Sequence, residues 1–292
     1  MKKYQVMYNP LSGNGTGEQA IEKLKQVLPD DELILTDVMK VQDMKAFILG
    51  LPEDTDPVLI GGDGTLNFLA NALGNEKMER PIYFFPAGSG NDFLRDIGYA
   101  EDGKPVQVNP YLCELPTVVI EGEYKHEMLF MNGIGYGIDG YCCEEGDRIR
   151  AKGTNKPINY TAIAIKGLLF KYKPTSVRYR VDGGEWKEFK KVWLAPTMNG
   201  RYYGGGIQPA PQQDRLNPER TVSLMVFHGK GRLTSLMRFP SIFEGKHVKY
   251  TDMIEIEKGH DIEVEFDRPT PLQVDGETFL KVRKYTVHTY RK

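Results

Sequence analysis

Residues 58–73 read VLIGGDGTLNFLANAL, and the way this stretch is parsed decides the fold. An apolar run stops at Gly61, and three glycines, Gly61, Gly62 and Gly64, then surround Asp63. Leu66, Leu69, Ala70 and Leu73 follow at i, i+3, i+4 and i+7, the spacing of one buried helix face. The stretch is therefore a strand handed to a helix through a glycine turn, with Thr65 placed to cap the first turn. A turn needs one glycine, so the others, and an aspartate with no packing reason to be there, call for a second explanation.

The same handover recurs on both sides. YQVMYN leads through NPLSGNGTG into EQAIEKLKQVL, ELILTD leads to MKAFILGL, and PIYFFPAGSG leads to NDFLRDIG. Consecutive strand–helix units of this length predict a parallel sheet with helices on both faces. From about residue 115 the rhythm changes to short alternating runs: TVVIEG, MLFMNGIG, SVRYRVDG, KKVWLAPTMNG, VSLMVFHG, IEIEKG, IEVEFD and KYTVHTY. Runs of this kind, ended by Gly, Pro, Asp or Asn, predict an antiparallel sandwich or barrel. INYTAIAIKGLLFKY and RLTSLMRFPSIFEGK interrupt it as helical insertions. The expected fold class is α/β plus β, with an α/β domain over 1–120 and a β-sandwich over 121–282. The tail 283–292 is free to complete the first domain.

Composition excludes several function classes. The 292 residues are 40% hydrophobic and 27% charged with a formal net charge of −2, which argues against a partner made of nucleic acid. No stretch approaches the roughly 18 apolar residues of a membrane span, and the N-terminus lacks a secretory apolar segment. Cys113, Cys142 and Cys143 form an odd set without metal-ligand spacing, so reduced thiols in a cytoplasmic protein are expected. Any membrane contact is then peripheral.

Three glycine-bearing loops, 9–17, 61–65 and 86–92, follow predicted strands and so fall at one edge of the sheet. Ligands of open α/β sheets bind beyond that edge, where glycines expose backbone N–H groups and helix N-termini favour anions. A polyphosphate site is the expectation. NPLSGNGTG taken alone is more often a simple turn; it lacks both the G-K-[ST] ending of a P-loop and the dinucleotide fingerprint. GGDGT is the stronger signal.

NPLSG, GGDGTLN and PAGSGNDFLR, in this order and spacing, resemble the diacylglycerol kinase catalytic family, which includes soluble bacterial lipid kinases and sphingosine kinases. The resemblance implies a nucleotide domain related to NAD kinase and phosphofructokinase, followed by a β-sandwich that meets the lipid. It implies transfer of the γ-phosphate of ATP, with Mg²⁺, to a lipid hydroxyl of diacylglycerol or a related glycerolipid. Asn9, Leu11, Ser12 and Gly13 match the family's first phosphate loop, and Thr36 matches a threonine near the nucleotide. Gly61, Gly62, Asp63, Gly64, Thr65 and Asn67 match its main nucleotide loop, and Ser89, Asn91 and Asp92 its third. In that frame the glycines surround phosphate and Asp63 organises Mg²⁺, which neutralises charge on the transferring group.

Near the C-terminus, PLQVDGETFL places Asp275 and Glu277 around a glycine. Spacing alone reads this as a hairpin turn. The resemblance adds a general base from this pair to accept the hydroxyl proton. Glu277 is the expected base because of its longer arm, with Asp275 orienting it or a metal-bound water. Two departures from the family pattern stand out. Phe68 replaces an acidic residue after the GGDGTLN asparagine, and only Asp214 and Glu219 remain as structural-metal ligands where the family has Asp-Asp-Gly.

Further expectations concern the lipid. It is met at the bilayer surface, where IAIKGLLFKYK and RLTSLMRFPSIFEGKHVK combine apolar residues with cations. NGRYYGGGIQPAP offers a lining for an acyl entrance, and a homodimer is compatible with the sequence. An NAD kinase also carries GGDG, but its downstream Asn-Glu motif is missing. A silent nucleotide or lipid sensor has little reason to keep Asp63, Asp275 and Glu277 at an ATP site.

Overall fold

The computed structural model describes residues 1–10, 16–87, 91–99, 103–152 and 158–291. The chain divides into two compact units, Met1–Leu115 and Pro116–Lys292.

In the first unit the strand–helix units follow the sequence reading. They are β1 (Lys3–Tyr8), α1 (Thr16–Val27), β2 (Glu32–Asp37), α2 (Met44–Leu49), β3 (Thr55–Gly61), α3 (Asp63–Leu73), β4 (Tyr83–Pro86) and α4 (Asp92–Ile97), followed by β5 (Val106–Gln107). The sheet order is β2-β1-β3-β4-β5, parallel except for β5. Val6 stands beside Val58 and Met7 beside Leu59. One face packs Val6, Val58, Ile60 and Phe85 against Ile21 and Leu24 of α1. On α3, Leu66, Leu69, Ala70 and Leu73 are fully buried, as their spacing requires. Phe84 meets Phe93 of α4 edge to face at 6.4 Å.

Because β3 lies on the opposite side of β1 from β2, the strand order reverses between β1 and β3. The turns after these two strands therefore flank the switch point, where open α/β sheets take their ligands.

The second unit is antiparallel. Its elements are β6 (Thr117–Glu121), β7 (Lys125–Leu129), β8 (Gly133–Tyr136), α5 (Ile138–Ala151), α6 (Tyr160–Lys166) with a π-helical turn at Gly167–Lys171, β9 (Thr175–Val181), β10 (Lys187–Val192), β11 (Thr197–Met198), β12 (Val222–Phe227), α7 (Arg232–Arg238), β13 (Ile254–Gly259), β14 (Asp261–Val274) and β15 (Glu277–His288). The strands run in the order β13-β12-β11-β8-β14-β15-β6-β7, with β9 and β10 branching from β14.

That branch makes the sandwich. The first half of β14 pairs with β9 through Phe266, and its last residues, Leu272–Val274, pair with β8 instead. Register breaks flank Thr270, between Pro269 and Pro271, which carry no N–H for a continuous ladder. The bent strand thus belongs to both layers. Between them Tyr136, Tyr179 and Tyr285 are buried with Val118, Leu224 and Val264. Two of these phenols are partnered: Tyr136 donates to the Val282 carbonyl at 2.6 Å, and the Tyr285 and Thr197 hydroxyls lie 2.8 Å apart.

The C-terminal residues complete the second unit rather than the first. Lys284–His288 pair with β6, so residues 283–288 of the tail lie in the sandwich sheet. Among the described residues no helix is long and apolar enough to cross a membrane. Cys113, Cys142 and Cys143 are free thiols, and burial pushes the Cys142 and Cys143 thiols well above their ordinary range.

Candidate functional site

The turn after β3 is built by glycine for two different reasons. At Gly61 a Cβ would lie 2.4 Å from the Thr65 Cβ, so the close passage of Thr65 over the strand end excludes any side chain. At Gly64 a Cβ would meet no protein atom within 4 Å. Gly64 is exposed in the first turn of α3, and nothing among the described residues requires glycine there. Glycine there leaves the backbone N–H groups of the helix N-terminus open to an approaching anion.

Helix α3 starts earlier than its hydroxyl residue suggested. Gly62 is the N-cap and Thr65 lies inside the first turn, its N–H bonded to the Gly62 carbonyl at 3.0 Å. Thr65 is consequently a packing residue against Gly61 and not the cap.

Asp63 opens α3, where a carboxylate is favoured by the helix dipole. Its carboxylate also reaches the next helix: it accepts the N–H of Asp92 at 2.9 Å and of Phe93 at 3.0 Å. One side chain thereby fastens the N-terminus of α4 to the turn after β3. Asp92 is buried and bonded to Arg95 at 3.1 Å. Asn67 is buried on α3, with its side-chain oxygen accepting from Asn71 at 3.0 Å. Asn91 is the N-cap residue of α4. Thr36, near the end of β2, accepts from Gln5 at 2.6 Å, and Asn9 follows β1. Leu11, Ser12, Gly13 and Ser89 lie outside the described residues. The unit thus brings Asn9, Thr36, Gly61, Gly62, Asp63, Gly64, Asn91 and Asp92 to the carboxyl edge of one sheet. Phe68 projects from α3 and is exposed.

In the second unit, Asp275 and Gly276 form a two-residue hairpin loop between Val274 and Glu277, with φ of 45° and 94°. Positive φ at both positions is the type I′ turn that Asp-Gly favours. The Asp275 carboxylate accepts three backbone N–H groups, of Met131 at 2.5 Å, Asn132 at 2.9 Å and Gly133 at 3.0 Å. On the other side of that segment, buried Arg215 donates to the Met131 carbonyl and the Asn132 side chain. Asp275 is therefore a structural anchor whose oxygens are spoken for. Glu277 opens β15 and is exposed, and among the described residues its carboxylate has no hydrogen-bond or ion-pair partner.

A carboxylate that no local motif singles out joins this hairpin. Asp139, in the first turn of α5, accepts from Gln273 Nε2 at 3.0 Å. The other end of the same amide accepts the Gly276 N–H at 2.7 Å. Gly135 leaves the space that the Asp139 carboxylate occupies, since a Cβ there would lie 1.5 Å from Oδ2. Tyr203 packs against Asp139 at the start of a tight turn in which Gly204, Gly205 and Gly206 all have positive φ. Desolvation pushes the Asp139 carboxyl up to about 6, against the pull of Gln273 and Tyr203. A carboxyl that titrates near neutrality can both accept and donate hydrogen bonds.

Asp214 and Glu219 are both exposed, and Asp214 closes a turn onto the Leu216 N–H at 2.9 Å. No cluster of three or more His, Cys, Asp or Glu side chains suited to a metal exists among the described residues.

Residues 3–113 match the family model of the diacylglycerol kinase catalytic domain, and residues 132–286 match that of the YegS C-terminal NAD kinase beta sandwich-like domain. A diacylglycerol kinase of Mycobacterium tuberculosis strain H37Rv is 26% identical over 261 residues, covering 86% of this chain and 81% of its own. A solved structure from Bacillus anthracis str. Sterne, 19% identical, covers 99% of this chain and 92% of its own with a TM-score of 0.67. A second from that strain, described as a diacylglycerol kinase, gives a TM-score of 0.58 at 18% identity, covering 99% and 94%.

Proposed function

The chain belongs to the diacylglycerol kinase catalytic-domain family with a YegS-type sandwich, and on that premise we propose that it transfers the γ-phosphate of ATP, with Mg²⁺, to the hydroxyl of diacylglycerol or a related glycerolipid at a bilayer surface. The observation that carries the nucleotide half is the pair of glycines at 61 and 64. One is required by Thr65, and the other faces open space at a helix N-terminus beside the switch point of the sheet.

Mg²⁺ takes oxygen ligands, commonly one or two carboxylates together with substrate phosphates. Asp63 supplies a carboxylate at the nucleotide edge, a donor that fits a cation held chiefly by ATP and not an all-protein cage. When bound, the ion neutralises charge developing on the transferring phosphoryl group. The protein's own contribution is positioning. Gly62 and Gly64 let backbone N–H groups near the phosphates, and Asp63 locks two helix N-termini together.

The proton of the accepting hydroxyl is assigned to Glu277. Asp275 is spent on three backbone donors, whereas Glu277 keeps its lone pairs. Asp139, tied to the same hairpin through Gln273, orients that turn.

The test is incubation of the purified protein with labelled ATP, Mg²⁺ and a bacterial lipid extract, followed by chromatography. A labelled phospholipid of phosphatidic acid mobility supports the reading. Bound ATP with no labelled lipid contradicts it.

A further inference from the structure

The second unit displays large apolar side chains on helical faces that should be polar. On α7, Leu233 and Met237 stand at i and i+4, 68% and 66% exposed, while the small polar Ser235 is fully buried. At the π-helical turn Phe170 is 73% exposed, and Ile165 precedes it at 42%. These residues are surplus to the core, because the same segments already bury Leu168, Phe239 and Ile242. A single exposed Leu means little, but two adjoining helical segments presenting four such groups is the pattern of a contact surface. The segments are joined: Arg232 donates to the Leu168 carbonyl at 2.8 Å and stacks over the Trp193 ring at 5.4 Å.

Charge identifies the occupant. Residues 158–174 and 229–243 contain Lys166, Lys171, Lys173, Lys230, Arg232 and Arg238 and no Asp or Glu, in a chain whose formal net charge is −2. Lys230 and Arg238 are paired with Asp252. Lys166, Lys171 and Lys173 have no carboxylate partner among the described residues. Apolar side chains that enter the headgroup region, bordered by unpaired cations, are what an anionic bilayer surface binds.

We propose that α6, the π-helical turn and α7 form one docking face for an anionic lipid bilayer, inserting Phe170, Leu233 and Met237 while Lys166 and Lys171 meet the headgroups. The inference deepens the lipid-kinase reading and takes its purpose from it.

The test is flotation of the full-length protein with vesicles of phosphatidylglycerol and phosphatidylcholine, against vesicles of phosphatidylcholine alone. Transfer of labelled phosphate to a short-chain diacylglycerol dispersed in detergent is measured in parallel. Wild type is expected to float with the anionic vesicles only, and less as salt rises. F170S/L233S/M237S and K166E/K171E are each expected to bind at least about tenfold more weakly. Both should keep the wild-type melting curve and wild-type transfer to dispersed substrate. Wild type that stays in solution, equal binding to neutral vesicles, or variants that float as wild type does would overturn the docking face. Flotation as expected with no transfer to dispersed substrate supports the face and overturns the kinase reading instead.

Discussion

The Asp63 carboxylate accepts the backbone N–H of Asp92 at 2.9 Å, so the aspartate of the glycine turn is also the fastener of the following strand–helix unit. The proposed function gives the same carboxylate a second role, at Mg²⁺, and substitutions separate the two. Asp63→Asn keeps one oxygen for one of the two N–H groups and sets its amide NH2 against the other, so it is expected to keep part of the stability while losing Mg²⁺-dependent turnover. Asp63→Ala removes the cap as well, at a cost of about 1–2 kcal/mol. Thermal melts beside phosphate transfer distinguish the two, and an active Asp63→Asn would remove the metal role.

The glycines give a second separation. Gly61→Ala drives a methyl into Thr65 and should destabilise the protein by about 1–3 kcal/mol. Gly64→Ala meets no neighbour and replaces a helical glycine, so stability should be unchanged or raised by up to about 1 kcal/mol. ATP binding is nevertheless expected to fall. Calorimetric titration of Gly64→Ala with ATP checks this, and wild-type affinity would mean that phosphate does not approach there.

At the hairpin, Asp275 and Glu277 are expected to respond in opposite ways. Asp275→Ala strands three backbone donors and places alanine at φ of 45°, costing about 3 kcal/mol or more. Glu277→Gln touches only an exposed side chain and should melt like wild type, keep ATP affinity, and lose at least about 100-fold in kcat. Near wild-type turnover in Glu277→Gln would end its assignment as base.

Asp139 predicts a pH dependence of stability. Its folded carboxyl titrates at about 6, against the ordinary aspartate value of 3.8 expected of the unfolded chain. Below about pH 4 both states are protonated and burial carries no penalty. As pH rises from about 4 to about 6 the unfolded chain releases its proton first, so stability falls, and above about 6 the loss is constant. Asp139→Asn should flatten this portion of the curve and raise stability at neutral pH by about 2 kcal/mol, measured by denaturant unfolding across pH. A profile unchanged by the substitution would contradict the assignment.

Much of the fold was legible because the two halves use different periods. Helical spacing marked α3 and its buried Leu66, Leu69 and Leu73, and two-residue alternation marked the first half of β14, Asp261–Phe266. Asp-Gly at 275–276 announced its turn type in the sequence, and the backbone angles agree. What stayed hidden depends on partners distant in the chain. The cap of α3 moved to Gly62 because Thr65 was needed over Gly61. Strand β14 continued past Asp267 through two prolines because it changes neighbours there, which no local pattern records. Asp139 carried no motif, since its environment is made by Gln273, Gly135 and Tyr203. Asp275 was legible as a turn, but its three N–H partners lie more than 140 residues away.

Acceptor choice bears most directly on the lipid-kinase reading: labelled ATP and Mg²⁺ are offered together with diacylglycerol and NAD to the wild-type protein, with EDTA as the control. A lipid kinase of this kind places label in phosphatidic acid, none in NAD, and none anywhere with EDTA. Label in NAD, or ATP bound with no transfer to the lipid, would contradict it.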